Sequence, residues 1–208
     1  MRARRETKLR RNKWWHLHWP REQWLWKAPK VICLQMERRP SFVASAEPTY
    51  ASFSTNVFVP SQTTREDLTY FAGLLNSRLL WKWFQHNAKR RGVALEINGG
   101  VLSRAPIKRI DFADAAQRAA HDKIADLSRA LYAIRLQMAQ DQSEGSKRAL
   151  TREFGSLDEE LDKIVYELYG LSEAEKAEVE EATRTGEDDD PDHDAATATV
   201  LEFPEMPS

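Results

Sequence analysis

The residues of this chain best equipped for chemistry are cations and one amide. Lys30, Arg38, Arg39, Lys89, Arg90, Arg91, Asn98, Arg104 and Lys108 fall at expected turns and strand ends of the first half. Clustered Lys and Arg neutralise phosphate groups. Side chains of the same types reach base edges, Arg or Lys to guanine and Asn or Gln to adenine. Placed around one face, the nine would line a basic cleft. Lys89, Arg90 and Arg91 lead the set, because they follow an expected helix and precede an expected strand. The charge distribution agrees. Residues 1–110 hold 21 Lys and Arg against 7 Asp and Glu, and the rest of the chain holds 10 against 25. A net charge of −1 hides this division. Such asymmetry points to a polyanion-binding part joined to an acidic part.

Residue patterns that mark catalysis are missing. No Gly-rich loop follows a strand, which removes a phosphate cradle or dinucleotide site. No Cys or His cluster has metal-ligand spacing, so no metal is expected. His16 and His18 lie close together without a third partner and read as ordinary histidines. Asp158, Glu159, Glu160 and Asp162 look like paired carboxylates, but on a helix they read as the solvated face opposite Leu157 and Leu161. Glu96, on an expected strand, is followed by Ile97 and Asn98, so the lysine of a nuclease Glu-x-Lys is absent. No nucleophile has a base beside it. No catalytic residue is assigned, and no catalysis is expected of the chain alone.

The elements that must position the cations can be read from apolar spacing. A single cysteine, Cys33, sits in Val31-Ile32-Cys33-Leu34 and can form neither an internal disulfide nor a metal cage. It reads as a buried thiol in a reducing cytoplasm. No signal peptide is expected, and no run of about eighteen apolar residues could span a membrane. Trp14, Trp15, Trp19, Trp24 and Trp26 crowd one stretch, and some must pack. Strands are expected over 30–36, 42–45 and 55–59, bounded by Pro and Ser. Leu68, Phe71, Ala72, Leu75, Leu79 and Trp83 form one stripe of a helix that starts near Thr64, with Asp67 completing a weak capping box, and ends near Asn87. A strand over 93–97 and a turn at Asn98-Gly99-Gly100 follow.

Further on, Ile124, Leu127, Leu131, Ile134 and Met138 make one helical seam, and Leu150, Phe154, Leu157, Leu161, Ile164 and Leu168 make another. A polar break over 142–146 joins them into an antiparallel hairpin. Gly155 weakens the second seam by about 1 kcal/mol relative to Ala. Gly170 serves as C-cap, and Ser172 with Glu175 opens a short third helix. The expected class is α+β. It comprises a basic arm over 1–13, a small mixed α/β domain over 14–110, a helical hairpin plus short helix over 111–183, and a disordered acidic tail over 184–208.

Gly73-Leu74-Leu75-Asn76-Ser77-Arg78-Leu79 resembles the "LLNS" signature of the TaqI-like C-terminal specificity domain. That domain is the target-recognition region of adenine-specific DNA methyltransferases and of fused type II restriction-methylation enzymes. Three further pieces follow the family's order. Trp24 with Ala28-Pro29-Lys30-Val31-Ile32 resembles its opening strand. Lys89-Arg90-Arg91-Gly92 and then Pro106-Ile107 resemble its closing segment. Leu157-Asp158, Val165-Tyr166-Glu167-Leu168-Tyr169-Gly170-Leu171 and Glu175 resemble its helical ending. The likeness covers roughly residues 14–182.

It implies sequence-specific recognition of double-stranded DNA, with Asn76 and Ser77 in a structural role inside their helix. Family enzymes carry an S-adenosylmethionine site and an Asn-Pro-Pro-Tyr loop ahead of this region, and neither motif occurs in this sequence. The resemblance therefore implies a specificity part with no cofactor of its own. S-adenosylmethionine and the pocket for a flipped adenine would belong to a methyltransferase catalytic domain or subunit. The helical hairpin would be spacer and docking surface for that partner. Three other classes stay open: a stand-alone nucleic-acid-binding regulator, a structural protein whose basic half binds an acidic partner, and an enzyme whose site has no recognisable sequence signature.

Overall fold

The computed structural model describes Lys13 and residues 22–52, 54–141 and 143–188, with side chains as far as Arg184. The rest of the expected basic arm, Trp14, Trp15, His16, His18, Trp19 and the chain beyond 188 lie outside the described residues. Helices and small antiparallel sheets make the fold α+β.

A single turn of helix, α1 (Trp24–Lys27), leads into β1 (Lys30–Leu34). Val31, Ile32 and Cys33 are all buried, which accounts for an apolar run without alternation. β1 lies between β3 (Phe42–Ser45) and β4 (Thr55–Phe58), antiparallel to both. The strand expected over 30–36 is in fact two. Gln35 leaves the ladder, donating its N–H to Ser54 O and accepting from Ile97 N. The chain then enters a second sheet as β2 (Met36–Glu37), in the order β2-β6-β5 with β5 (Lys89–Arg91) and β6 (Ala94–Glu96). Asn56 Nδ2, 2.7 Å from Ile97 O, ties the two sheets together.

The helix expected over 64–87 starts later and breaks in the middle. Asp67, not Thr64, is the N-cap of α2 (Leu68–Asn76), accepting from Thr69 N at 2.7 Å. Ser77 is extended, ends α2 and caps α3 (Arg78–Asn87). Its Oγ donates to Leu74 O at 2.6 Å and accepts from Leu80 N at 3.4 Å, so the hydroxyl replaces helical backbone bonds at the break. Asn76 completes the structural role expected of the pair: its amide accepts from Phe42 N and donates to Phe42 O, each at 2.8 Å. Asn98-Gly99-Gly100 is not a simple turn. Asn98 Oδ1 caps a short helix, α4 (Gly99–Leu102).

The helical hairpin consists of α5 (Ala115–Gln140) and α6 (Glu144–Tyr169), 26 residues each. Asp114 caps α5 through Ala116 N and Gln117 N. Gly170, at φ 71°, ends α6 in the left-handed region. Ser172 and Glu175 bond reciprocally and open α7 (Glu173–Asp188), so the helix carries past the expected boundary near Arg184.

α2 is shared by two packed clusters. Leu75, with Leu80, Trp81 and Phe84 of α3, packs against Val31, Cys33, Phe42, Leu95 and Ile97. Tyr70 and Leu74 pack against Ile124, Leu127, Leu161 and Val165 of the hairpin. Gly73 makes the second contact possible, because a Cβ there would stand 2.8 Å from Ile124 Cγ2.

Candidate nucleic-acid interface

Lys89, Arg90 and Arg91 form an edge strand, and strand geometry splits them. Gly92, at φ 62°, is the first residue of a two-residue turn that pairs Arg91 with Ala94 and Lys89 with Glu96. Turns of this length require a positive φ there, which glycine adopts without strain. Side chains alternate across a sheet. Leu95 is buried, so Arg90 and Glu37, which pair with it, share the inward side. Lys89, Arg91, Ala94, Glu96 and Met36 therefore share the outer side. Arg90 is still exposed, because its strand is at the edge. Met36 is 53% exposed, and Val93, at the tip of the turn, 69%. Arg38 lies one residue beyond β2, at the turn end of this sheet, and is also exposed.

Arg91 Nε donates to Glu96 Oε2 at 2.7 Å. This bond, the charge of Arg91, and then Lys89 and Asn98 hold the Glu96 carboxyl below its ordinary range. The outer face thus carries fixed cations around one ionised carboxylate.

The remaining sequence candidates divide between surface and interior. Arg104 is exposed, with Nε 3.1 Å from Gly100 O. Asn98 is exposed, but its Oδ1 is committed to Val101 N at 3.0 Å. Lys108 is half-buried, and its backbone is held by Tyr70 and Tyr169 hydroxyls. Lys30 does not face solvent at all. Its ammonium donates to Trp26 O at 2.8 Å and Glu47 O at 3.3 Å, and burial lowers its pKa. Arg39 lies 4.8 Å over the Trp81 ring and pairs with Asp158 at 3.5 Å, so it packs the hairpin against the first half. Lys30 and Arg39 are structural cations. A strand residue whose partner carbonyls come from α1 and from a loop 17 residues on leaves no trace in apolar spacing.

Asp162 departs from the expected solvated acidic face, which Glu159 and Glu160 keep. It is 4% exposed, and Asp158 is half-buried. Asp162 Oδ1 accepts from Arg78 N at 2.8 Å, at the start of α3, and Oδ2 lies 3.3 Å from Arg78 Nε. Burial, and then the neighbouring Asp158 charge, pushes the Asp162 carboxyl up to about 7 against the pull of Arg78 and Arg39. Glu66 was also not singled out by the sequence. Burial raises it, but hydrogen bonds from Arg109 and Ile110 N outweigh that and bring it down to about 2. Cys33 is the buried thiol expected, pushed up by burial to about 12.

A cleft of about 800 Å³ opens elsewhere, lined by Trp26, Phe58, Phe71, Leu102 and Ile107. Its polar side chains are engaged, Asn56 with Ile97 O and Arg109 with Glu66, so it presents no acid–base pair. Among the described residues, no three His, Cys, Asp or Glu side chains gather as a metal site, and no helix is long and apolar enough to cross a membrane. No family model and no curated protein matches this chain.

Proposed function

We propose that this chain recognises duplex DNA through the outer face of the β2-β6-β5 sheet. It serves as the specificity part of a restriction-modification adenine-N6 DNA methyltransferase. The carrying observation is the pairing register. Lys89 and Arg91 point the same way from a tight antiparallel ribbon, with Arg38 at its turn end. The β5-β6 hairpin at the edge of this three-stranded sheet is a ribbon of the kind the major groove admits, and cations on its outer face reach phosphates and base edges together. Rigid backing supports this use: Leu95 and Ile97 anchor the ribbon in the core behind it. The adenine-methylating context rests on the ordered sequence motifs, above all Gly73 to Leu79. In that reading S-adenosylmethionine and the catalytic loop come from a cytoplasmic partner chain or domain.

Selection from a random duplex library tests the recognition. The expected result is enrichment of one short motif. Retention of DNA without any enriched motif, or no retention, overturns sequence-specific recognition. The partnership is tested in the neighbouring genes. A frame with an S-adenosylmethionine site and an Asn-Pro-Pro-Tyr loop is expected, and its product should methylate the selected motif only when this chain is added. Methylation that is indifferent to this chain refutes the partnership.

A further inference from the structure

We propose that Arg91 and Glu96 act as a base-reading pair, with Arg91 donating to O6 and N7 of a guanine and Glu96 accepting from the N4 amine of a neighbouring cytosine. This rests on the DNA reading above. A carboxylate on a face that meets phosphates opposes binding, so its central place on that face needs a reason. Glu96 sits on the middle strand, between Lys89 and Met36 in register. Arg91 reaches it diagonally, across the small Ala94 that pairs with Arg91. The bond uses only Nε. Both terminal nitrogens of the guanidinium are left without a protein partner among the described residues. That pair of nitrogens is the fork that matches O6 and N7 of guanine. Half of the Arg91 side chain and 30% of that of Glu96 are exposed, so both can meet a ligand.

The ionised Glu96 carboxylate only accepts hydrogen bonds. In the major groove it therefore selects an amine. Adenine places its N6 amine beside the N7 acceptor, which repels a carboxylate, whereas cytosine presents N4 without an adjacent acceptor. Stacked bases are about 3.4 Å apart. Two groups 2.7 Å apart can thus address adjacent bases. Glu96 also fixes the orientation of Arg91, which restricts the arginine to one edge.

The test uses the full chain and the motif enriched from the random library, with affinity followed by fluorescence anisotropy. Replacing the guanine by 7-deazaguanine removes N7, and N4-methylation of the cytosine replaces the groove-facing hydrogen. Each change is expected to weaken binding on the order of 10- to 100-fold. Arg91→Ala, which leaves no donor for the guanine edge, should lose the response to 7-deazaguanine. Glu96→Ala should lose the response to N4-methylcytosine while binding random duplex more tightly, since one negative charge is gone. A purely structural ion pair predicts otherwise: the analogues leave affinity unchanged, and both variants only lower the melting temperature. That outcome overturns the pair and leaves DNA recognition standing. Failure to enrich any motif overturns both.

Discussion

The outer face of the second sheet and the seam between α3 and α6 are built from the same charged residue types but hold them under different conditions. On the sheet, Arg91 and Glu96 meet at 2.7 Å with half and 30% of their side chains exposed. In the seam, Arg78 and Asp162 meet at 3.3 Å with 25% and 5% exposed. Water screens the first pair, so it contributes little to stability and its members can serve a ligand. The second pair has lost most of its hydration, and removing one member strands the other in a poor solvent. The contrast teaches that the site cannot be read from charge density alone. Lys30 and Arg39 belong to the basic half, yet their partners are Trp26 O, Glu47 O, Trp81 and Asp158.

The sharpest way to break this comparison is Asp162→Ala. It should lower stability by about 1–3 kcal/mol, because Arg78 N at the start of α3 loses its carboxylate acceptor. Lys89→Gln on the sheet should change stability by no more than about 0.5 kcal/mol. Urea unfolding checks both, and equal effects would erase the distinction between the regions. Gly73→Val comes next. Its side chain must enter the space held by Ile124 and Ser128, at a cost of about 1–3 kcal/mol. An unchanged urea midpoint would show that α2 and α5 are not in close contact.

The pH dependence separates two buried carboxylates. Asp162 titrates near 7 when folded against an ordinary 3.8. Its proton is held more tightly in the folded state, so its stabilising contribution is full below the ordinary value and is lost as pH rises towards 7. Glu66 titrates near 2 against an ordinary 4.5, so its contribution is present above the ordinary value and is lost as pH falls. Melting curves of the wild type, Asp162→Asn and Glu66→Gln should show these opposite slopes. The wild type should lose ground to Asp162→Asn between about pH 4 and 7. It should lose ground to Glu66→Gln below about pH 4.5. Parallel curves would contradict both burial environments.

Much of the frame was legible because local signals carried it. Phe42–Ser45, the two long seams, Gly170 and the Ser172–Glu175 box depend on neighbours in sequence, and the structure keeps them. The break at Ser77 was hidden, because the apolar stripe continues across it while the hydroxyl takes over backbone bonds. The burial of Asp162 was hidden for a different reason. Its partner Arg78 is 84 positions away, and helical spacing alone placed the acid on a solvated face. At the candidate site, the basic triplet was visible but its division between two sides was not. That division follows from a strand at 89–91 whose partner, Leu95, is buried. Glu96 was noticed only for the lysine it lacks, since its closeness to Arg91 depends on the register of the hairpin.

The central claim is that the outer sheet face, not basic charge in general, meets DNA. Measuring affinity of the full chain for a random duplex across a salt series tests it most directly, using wild type, Lys89→Gln and Arg39→Met. Log affinity should fall linearly with log salt, and Lys89→Gln should make that slope shallower by about 0.9, one phosphate contact. Arg39→Met should leave the slope unchanged, because its charge faces Asp158 and Trp81. A slope that ignores Lys89 while responding to Arg39 would contradict the claim.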